Sequence, residues 1–525
     1  MIASPGSNAV GDPGPDKTIF MWSFVWWPHA LGGGHDPFVT HAVWAPEGID
    51  LSWVTSVPGP SLLAFPLTWA AGPVVTYNVL AVLAPALAAW AAFLLAKWLT
   101  GRFWPALLAG YLFGFSAYEI AQSRGHLSLT LVFLVPLVWL LVAKRFAGEL
   151  SRTRFVVLLA PALAFQLSIA TEIFSTTVLV GVLVGLLALW RLRESRARIL
   201  MTGRECAVGL LGAAVLSLPY LIHAFVVTGS SYAPERSPFS QSADLLSFVV
   251  PTRFVWLRPS GTSSITSHFT ANPVESGAYL GLPLLVILVA AALTRRSRAI
   301  SFLLLATAAV AICSLGSRIR IAGHVLVPGP WEVPAKLPVT RVILPVRLSM
   351  FVALLAALVC AVWLAERDAH PGLRWALVLV AAVVVFPSPS RALWTSHVPR
   401  PAFIQTDADE HVLRGSDTAL VLPVGKAGWS MLWHAENHMR YRMVAGYLGN
   451  RPPAEERWSG LLRALISGRR LPENADLMLR RFLASHRATV VVVAPGTKPV
   501  LRRLVRTLPV QPVRVVDVQV YRLAG

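Results

Sequence analysis

The sequence predicts an α-helical polytopic membrane protein, with about ten transmembrane helices and a small C-terminal α/β domain outside the membrane. Three observations predict it. Of 525 residues, 55% are apolar and only 14% charged, and the mean hydropathy is +0.60; a typical soluble domain carries about 25% charged residues. Apolar runs long enough to cross a bilayer recur between residues 74 and 389. The loops between those runs alternate in basic charge.

The spans fall near 74–98, 103–120, 127–144, 155–171, 174–191, 206–227, 277–294, 299–314, 345–365 and 373–389. A span needs about 20 residues. The run from Arg154 to Arg191 is too long for one helix and carries Glu172 near its middle, so it reads as a hairpin with Glu172 at the turn. One set of loops carries Lys97 and Arg102, then Lys144, Arg145, Arg152 and Arg154, then Arg191, Arg193, Arg196, Arg198 and Arg204, then Arg295, Arg296 and Arg298, then Arg367 and Arg374. The other set, 121–126, 172–173, 228–276 and 315–344, is poorer in base. The positive-inside rule puts the first set in the cytoplasm. The net charge of +20 is thereby a membrane signal and not a nucleic-acid one. Segment 1–73 and domain 393–525 then lie outside, flanking a transmembrane domain over 74–392. Segment 1–60 shows neither a signal peptide nor a preceding span. The reading therefore expects a first helix upstream that this chain lacks, as a late start codon would leave it.

Residues 18–31 are dense in Trp and Phe and short for a span. Such residues favour the headgroup level, so a helix lying in the outer interface is expected. Residues 61–71 read as a second short helix or re-entrant piece. After Trp394 the pattern changes. Strand-like runs occupy Leu420–Val424, Thr489–Ala494 and Val513–Leu523, and amphipathic helices are expected at 454–469 and 473–486. In the last strand Val516, Val518 and Val520 alternate with Asp517, Gln519 and Tyr521. Cys206, Cys313 and Cys360 lie in or beside apolar spans, which suits packing and argues against a disulfide framework. No phosphate-binding Gly-rich loop, HExxH, GxSxG or paired Cys/His metal pattern occurs, so ATP-driven transport and zinc proteolysis are unsupported.

Carboxylates are scarce, so their positions inform. Those on the outer side include Asp12, Asp16, Asp36, Glu172 and Glu275, with Arg124, His126, Arg341 and Arg347 on the same side. Ionisable groups near a membrane face are costly unless they meet water, partners or a ligand. Together they suit a lipid phosphate and a hydroxyl nucleophile: a carboxylate takes the hydroxyl proton, and Arg forks hold the leaving phosphate. A plainer reading stands beside each residue. Asp12 and Asp16 lie in a Gly/Pro-rich stretch where Asp is common in turns, and Asp36 precedes Pro37 as in a turn or cap. Arg124 and Arg347 could meet headgroups, His126 the interface, and Glu172 a helix end. Trp429 and Trp433 suit sugar stacking or a core, and the core is favoured.

The ordered set of segments resembles the GT-C superfamily of membrane glycosyltransferases. It comprises Gly11–Asp16 (GDPGPD) with the aromatic stretch after it, Asp36-Pro37-Phe38, Pro66–Pro73 with Asn78, Gly114–Tyr118 leading to Gly125-His126-Leu127, Glu172, Glu275–Gly281 (ESGAYLG) and Pro345-Val346-Arg347. The resemblance covers most of 11–366 and no single motif carries it. It implies a GT-C-like fold and inverting transfer of a hexose or pentose from a polyprenyl-phosphate donor. The acceptor would be a cell-envelope glycan, lipid or protein, at the outer face of a bacterial plasma membrane. The superfamily's catalytic carboxylate sits in the first outer loop, where Asp12 matches best and Asp16 second. Arg347 would then hold the donor phosphate, helped by Arg341, Arg124 or His126, with Asp36, Glu172 and Glu275 as further donor contacts. No cofactor is called for; a divalent ion on Asp12 and Asp16 stays open, since hard ions take oxygen ligands. The competing reading is a transporter or flippase of a lipid-linked saccharide without bond chemistry, and a third is a scaffold that holds a partner through its C-terminal domain. Inverted repeats and broken mid-span helices, common in transporters, are not evident, which favours the enzyme.

Overall fold

An apolar run in hydrocarbon folds as a helix because its backbone N–H and C=O groups find no water and must pair within the segment. A computed structural model describes residues 4–228, 241–294, 297–336, 340, 343–366, 370–425, 428–449, 451–467 and 470–523. Among the described residues, six helices are long and apolar enough to cross a membrane: Phe65–Thr100, Leu127–Ala147, Arg152–Ile169, Thr171–Arg191, Arg193–Leu216 and Pro345–Ala365. Shorter apolar helices cover Leu218–Val227, Leu282–Thr294, Arg298–Ser314 and Pro371–Val384. The run expected over 103–120 stops at Gly114, and Ser116 starts a separate helix, Ala117–Gln122, by accepting the Glu119 N–H on its side chain. The long run 154–191 does break where expected, at Ala170, whose extended backbone places Glu172 in the first turn of the next helix. Residues 65–71 are continuous with the first long helix but kinked from it at Gly72, which has a φ of 82°.

The chain divides into two compact units. The membrane unit comprises Leu80–Leu218 and Glu235–Trp394. Its core is the helix Pro345–Ala365, which is 89% buried over its most apolar window, against 22% to 56% for the other long helices. Phe103–Gly114, Leu282–Thr294 and Arg298–Ser314 pack on it. Outward-facing Trp104, Trp190, Leu211 and Leu293 are exposed, as lipid-facing side chains would be. Helix Phe103–Gly114 meets Phe65–Thr100 through two glycines four residues apart. A Cβ at Gly110 would lie 2.6 Å from the Ala89 carbonyl oxygen, and one at Gly114 2.5 Å from the Ala89 Cβ and the Pro85 carbonyl. Small residues at this spacing let helix backbones approach closely.

The second unit joins Met1–Val79, Pro219–Pro234 and Thr395–Gly525. Its centre is a five-stranded sheet in the order 513–515, 518–522, 490–493, 418–422, 442–443. Val490–Val493 are all buried, as a strand covered on both faces requires. They pair in parallel with Ala419–Leu422 and antiparallel with Gln519–Arg522. The run Val513–Leu523 is a hairpin and not the single strand expected: Val516 turns at a φ of 53°, and Val515 faces Val518. Helices Ser459–Ser467 and Ala475–Ser485 fall where amphipathic helices were expected.

The leading segment belongs to this unit. Strand Asn8–Val10 pairs antiparallel with Thr395–His397, and Val43 bridges to Met443 beside the sheet. The aromatic stretch corrects the expectation of a helix lying flat in the interface. Helix Asp16–Gly32 is buried on nearly every side, with Trp22 and Phe24 fully enclosed, and it packs on Pro58–Leu63 and Ser430–Glu436. A helix apolar all round belongs in a core. Its indoles have specific partners: Trp22 donates to His434 Nδ1 at 3.1 Å, Trp26 to the Pro37 carbonyl at 3.0 Å and Trp27 to the Ser56 carbonyl at 2.9 Å. Trp429 and Trp433 are core residues, and Trp433 donates to the Pro399 carbonyl at 2.9 Å.

The glycine contact can be tested directly. Gly114→Val is expected to lower stability by about 1–3 kcal/mol through overpacking. Gly181→Val, where a Cβ meets nothing within 4 Å, should leave the detergent-solubilised melting temperature unchanged.

Candidate active site

The stretch carrying Asp12 and Asp16 is held at both ends. On its N-terminal side Asn78 clamps the strand: its Nδ2 donates to the carbonyls of Pro5 at 2.8 Å and Asn8 at 2.7 Å, and its Oδ1 accepts from Val10 N at 2.8 Å. Gly11 then turns the chain at a φ of 95°, a region that favours glycine. On the far side Asp16 opens the helix, where a carboxylate suits the N-terminal dipole, and its Oδ1 accepts the Tyr447 hydroxyl at 2.6 Å. Between them Asp12 is half-buried, and its backbone carbonyl accepts the Ser396 hydroxyl at 3.0 Å. The same Ser396 Oγ accepts from the Lys17 ammonium at 2.5 Å, and that ammonium lies 5.4 Å from the Trp429 ring centroid. Burial pushes Lys17 down to about 7. Two carboxylates and a cation that changes charge near neutrality thus sit on one short, fixed segment. Lys17 was not among the expected site residues; a lysine directly after Asp16 on an otherwise apolar helix was the signal.

Asp36 has other partners. Its Oδ1 accepts from Phe38 N at 2.9 Å, the turn geometry anticipated for Asp-Pro, and its Oδ2 lies 3.5 Å from His223 Nε2. His223 Nδ1 in turn lies 2.9 Å from Asp50 Oδ2.

In the membrane unit the expected residues gather around Arg347, in the first turn of the core helix. Arg347 Nε and Nη2 donate to Glu275 Oε2 and Oε1 at 3.0 and 2.5 Å, and Nη1 donates to Glu172 Oε2. Glu172 Oε1 also accepts from Leu344 N at 3.1 Å. Gln122 donates to Glu275 at 2.9 Å and meets His126 Nδ1 through its own Oε1 at 2.6 Å. The chain His126, Gln122, Glu275, Arg347, Glu172 therefore ties four stretches together. Gly277 lets the Glu275 loop approach, since a Cβ there would sit 2.7 Å from the Tyr118 Cα. Gln122 was missed, though it lies one helical turn before His126. Glu119 beside it is fully buried, and neither carboxylate oxygen has a hydrogen-bond partner among the described residues. Arg124 donates to the Leu393 carbonyl and stands 5.0 Å over the Phe254 ring. Burial, reinforced by neighbouring Arg253, pushes it down to about 10. Arg341 lies outside the described residues.

The Arg347 cluster has one guanidinium for two carboxylates, almost enclosed. Burial alone would raise the Glu275 carboxyl, but the Arg347 charge and hydrogen bonds outweigh it and hold the group at about 2, against an ordinary 4.5. A carboxyl depressed on folding adds stability that is complete above its unfolded value and lost as pH falls toward the folded one. Unfolding measured from pH 7 down should show a loss on the order of 3 kcal/mol that develops below about pH 4.5. Glu275→Gln should lack that acid limb, and an unchanged limb would place it on other groups.

Comparison with known proteins adds the following. Residues 27–386 match the family described as Domain of unknown function (DUF6311). No curated protein sequence matches the chain. Among solved structures it resembles the arabinofuranosyltransferase AftD from Mycobacteria, at 15% identity and a TM-score of 0.55, over 99% of this chain and 38% of that one. A mutant form of AftD aligns with a TM-score of 0.57 at 16% identity, covering 99% and 40%. ArnT from Cupriavidus metallidurans, bound to undecaprenyl phosphate, aligns more loosely, with a TM-score of 0.44 at 13% identity, over 98% and 94%. The chain thus spans about two fifths of the AftD length and shares the GT-C fold. With 27–386 matched, more than half of its length, the chain belongs to the DUF6311 family.

Proposed function

We propose that the protein is a membrane glycosyltransferase that moves a sugar from a polyprenyl-phosphate donor to a cell-envelope acceptor, with Asp12 as the general base. The fold shared with an arabinofuranosyltransferase supports the reaction class. The observation that carries the base is the fixing of Asp12 on a segment clamped by Asn78, Ser396 and the start of helix Asp16–Gly32, with the residue only partly buried. A base held in place costs no reorganisation when the proton moves.

In this mechanism the Asp12 carboxylate takes the proton of the acceptor hydroxyl. The oxygen attacks the anomeric carbon from the face opposite the phosphate, and a new glycosidic bond forms. The bond from that carbon to the phosphate oxygen breaks, and the polyprenyl phosphate leaves with the electron pair, so configuration inverts. Asp16 is the secondary candidate, because its carboxylate already serves Tyr447. Three of the five N–H groups of Arg347 are held by Glu172 and Glu275, so its proposed part is to position those carboxylates toward sugar hydroxyls. Of the residues expected at the donor phosphate, this leaves Arg341, Arg124 and His126, and the Arg124 guanidinium already donates to the Leu393 carbonyl.

The purified protein supplied with a polyprenyl-phosphate sugar and acceptor should release polyprenyl phosphate. Asp12→Asn should bind the donor as wild type does while turnover falls about 10²- to 10⁴-fold, and Asp16→Asn should lose less. Equal turnover in wild type and Asp12→Asn moves the base elsewhere. Movement of the intact donor across vesicles without release replaces the enzyme with a transporter.

A further inference from the structure

One cluster in the unit holding the C-terminal domain takes no part in the proposed transfer. Glu455 lies in the short turn Pro453–Trp458, His486 follows helix Ala475–Ser485, and Glu47 sits in the turn before strand Ile49–Asp50. His486 Nε2 is 2.9 Å from Glu455 Oε1 and 4.0 Å from Glu47 Oε2. One ligand atom from each residue can be chosen so that all three lie within 4.8 Å of one another.

Two features point to a bound cation. Glu455 is 1% exposed, and its Oε2 has no hydrogen-bond partner among the described residues. A buried carboxylate oxygen left in that state is costly. The imidazole supplies the second feature. His486 Nδ1 lies 2.7 Å from the Phe482 carbonyl oxygen, which can only accept, so Nδ1 carries the proton and donates it. Nε2 faces two carboxylates, an arrangement that needs positive charge there, supplied either by a second ring proton or by a cation on the Nε2 lone pair, and only the cation also gives the bare Glu455 Oε2 a partner. An imidazole anchored through its other N–H to a backbone carbonyl is the usual support of a metal-ligating histidine.

We propose that Glu47, Glu455 and His486 bind one divalent cation of the zinc class. An imidazole nitrogen beside two carboxylates favours such an ion over Ca²⁺ or Mg²⁺, which take oxygen ligands. Glu47, a third exposed, leaves the outer side of the site open to water. The ion's structural effect would be to fasten the leading segment to the C-terminal domain. That segment is already docked there, with Ala45 N donating to the Met443 carbonyl at 3.0 Å and Gly446 packed against Val43 and Trp44. The ion adds a tie from the Glu47 turn to the end of helix Ala475–Ser485.

Metal-stripped full-length protein in detergent, titrated with Zn²⁺ against a chromogenic chelator, tests this without any assay of sugar transfer. Wild type should retain about one zinc per chain after desalting. Glu47→Gln, at an exposed position, should melt as wild type does without metal yet bind zinc about tenfold more weakly or worse. His486→Asn should abolish retention, and Ca²⁺ should not compete. Zinc should also slow proteolysis around Glu47 in wild type and not in Glu47→Gln. Equal zinc retention by wild type and Glu47→Gln, whether high or negligible, overturns the proposal and leaves His486 and Glu455 as a buried ion pair.

Discussion

The pairing of Asn8–Val10 with Thr395–His397 is the contact on which the candidate site depends. It brings together residues nearly four hundred positions apart in the chain and fixes where the loop after it begins. Each net hydrogen bond contributes only about 0.5–1.5 kcal/mol, while ordering a backbone residue costs about 1–2 kcal/mol. A five-residue loop rich in Gly and Pro therefore stays fixed only if both ends are anchored. Asn78 and the strand pairing supply one anchor; helix Asp16–Gly32, buried on nearly all sides, supplies the other. Asp12 takes its position from these anchors together with the Ser396 hydroxyl that its backbone carbonyl accepts. Lys17 sits within the same arrangement and hydrogen-bonds the serine that holds the Asp12 backbone.

In the membrane unit the comparable element is the Arg347 network. A guanidinium enclosed at the head of the most buried helix has to be paired, because an isolated charge there would cost several kcal/mol. Two carboxylates answer it, one from the turn after Ala170 and one from the loop before helix Leu282–Thr294. Their convergence ties these segments together through charged hydrogen bonds. The cost of breaking one pair falls on the others, so the network specifies loop positions as well as contributing stability.

Much of this fold was legible in the sequence, because bilayer-crossing helices are written in composition and length. Glu172 was placed at a turn because no single helix could hold the run around it. The aromatic stretch 18–31 was read less well: Trp and Phe favour an interface and a protein core alike, and only tertiary contacts such as Trp22 with His434 separate the two. The hairpin at Val516 was missed because a valine gives no signal for a positive φ. The site was legible as a list and not as a constellation. Glu172 meets Arg347 across 175 positions, a separation that neither helical nor strand periodicity reports. Asp50 and the trio of Glu47, Glu455 and His486 escaped for the same reason, since their partners are far away in the chain, as Glu275 is for Gln122.

The account stands on the leading segment being folded onto the C-terminal domain. Paired cysteines at Asn8 and His397, which face each other in the register, test it most directly once Cys206, Cys313 and Cys360 are replaced. Under mild oxidation in the membrane, peptide mapping should recover the two positions in one disulfide-linked species, with folding unimpaired. Recovery of both cysteines as separately alkylated peptides, while an exposed control pair behaves alike, would contradict the pairing and the placement of Asp12 that rests on it.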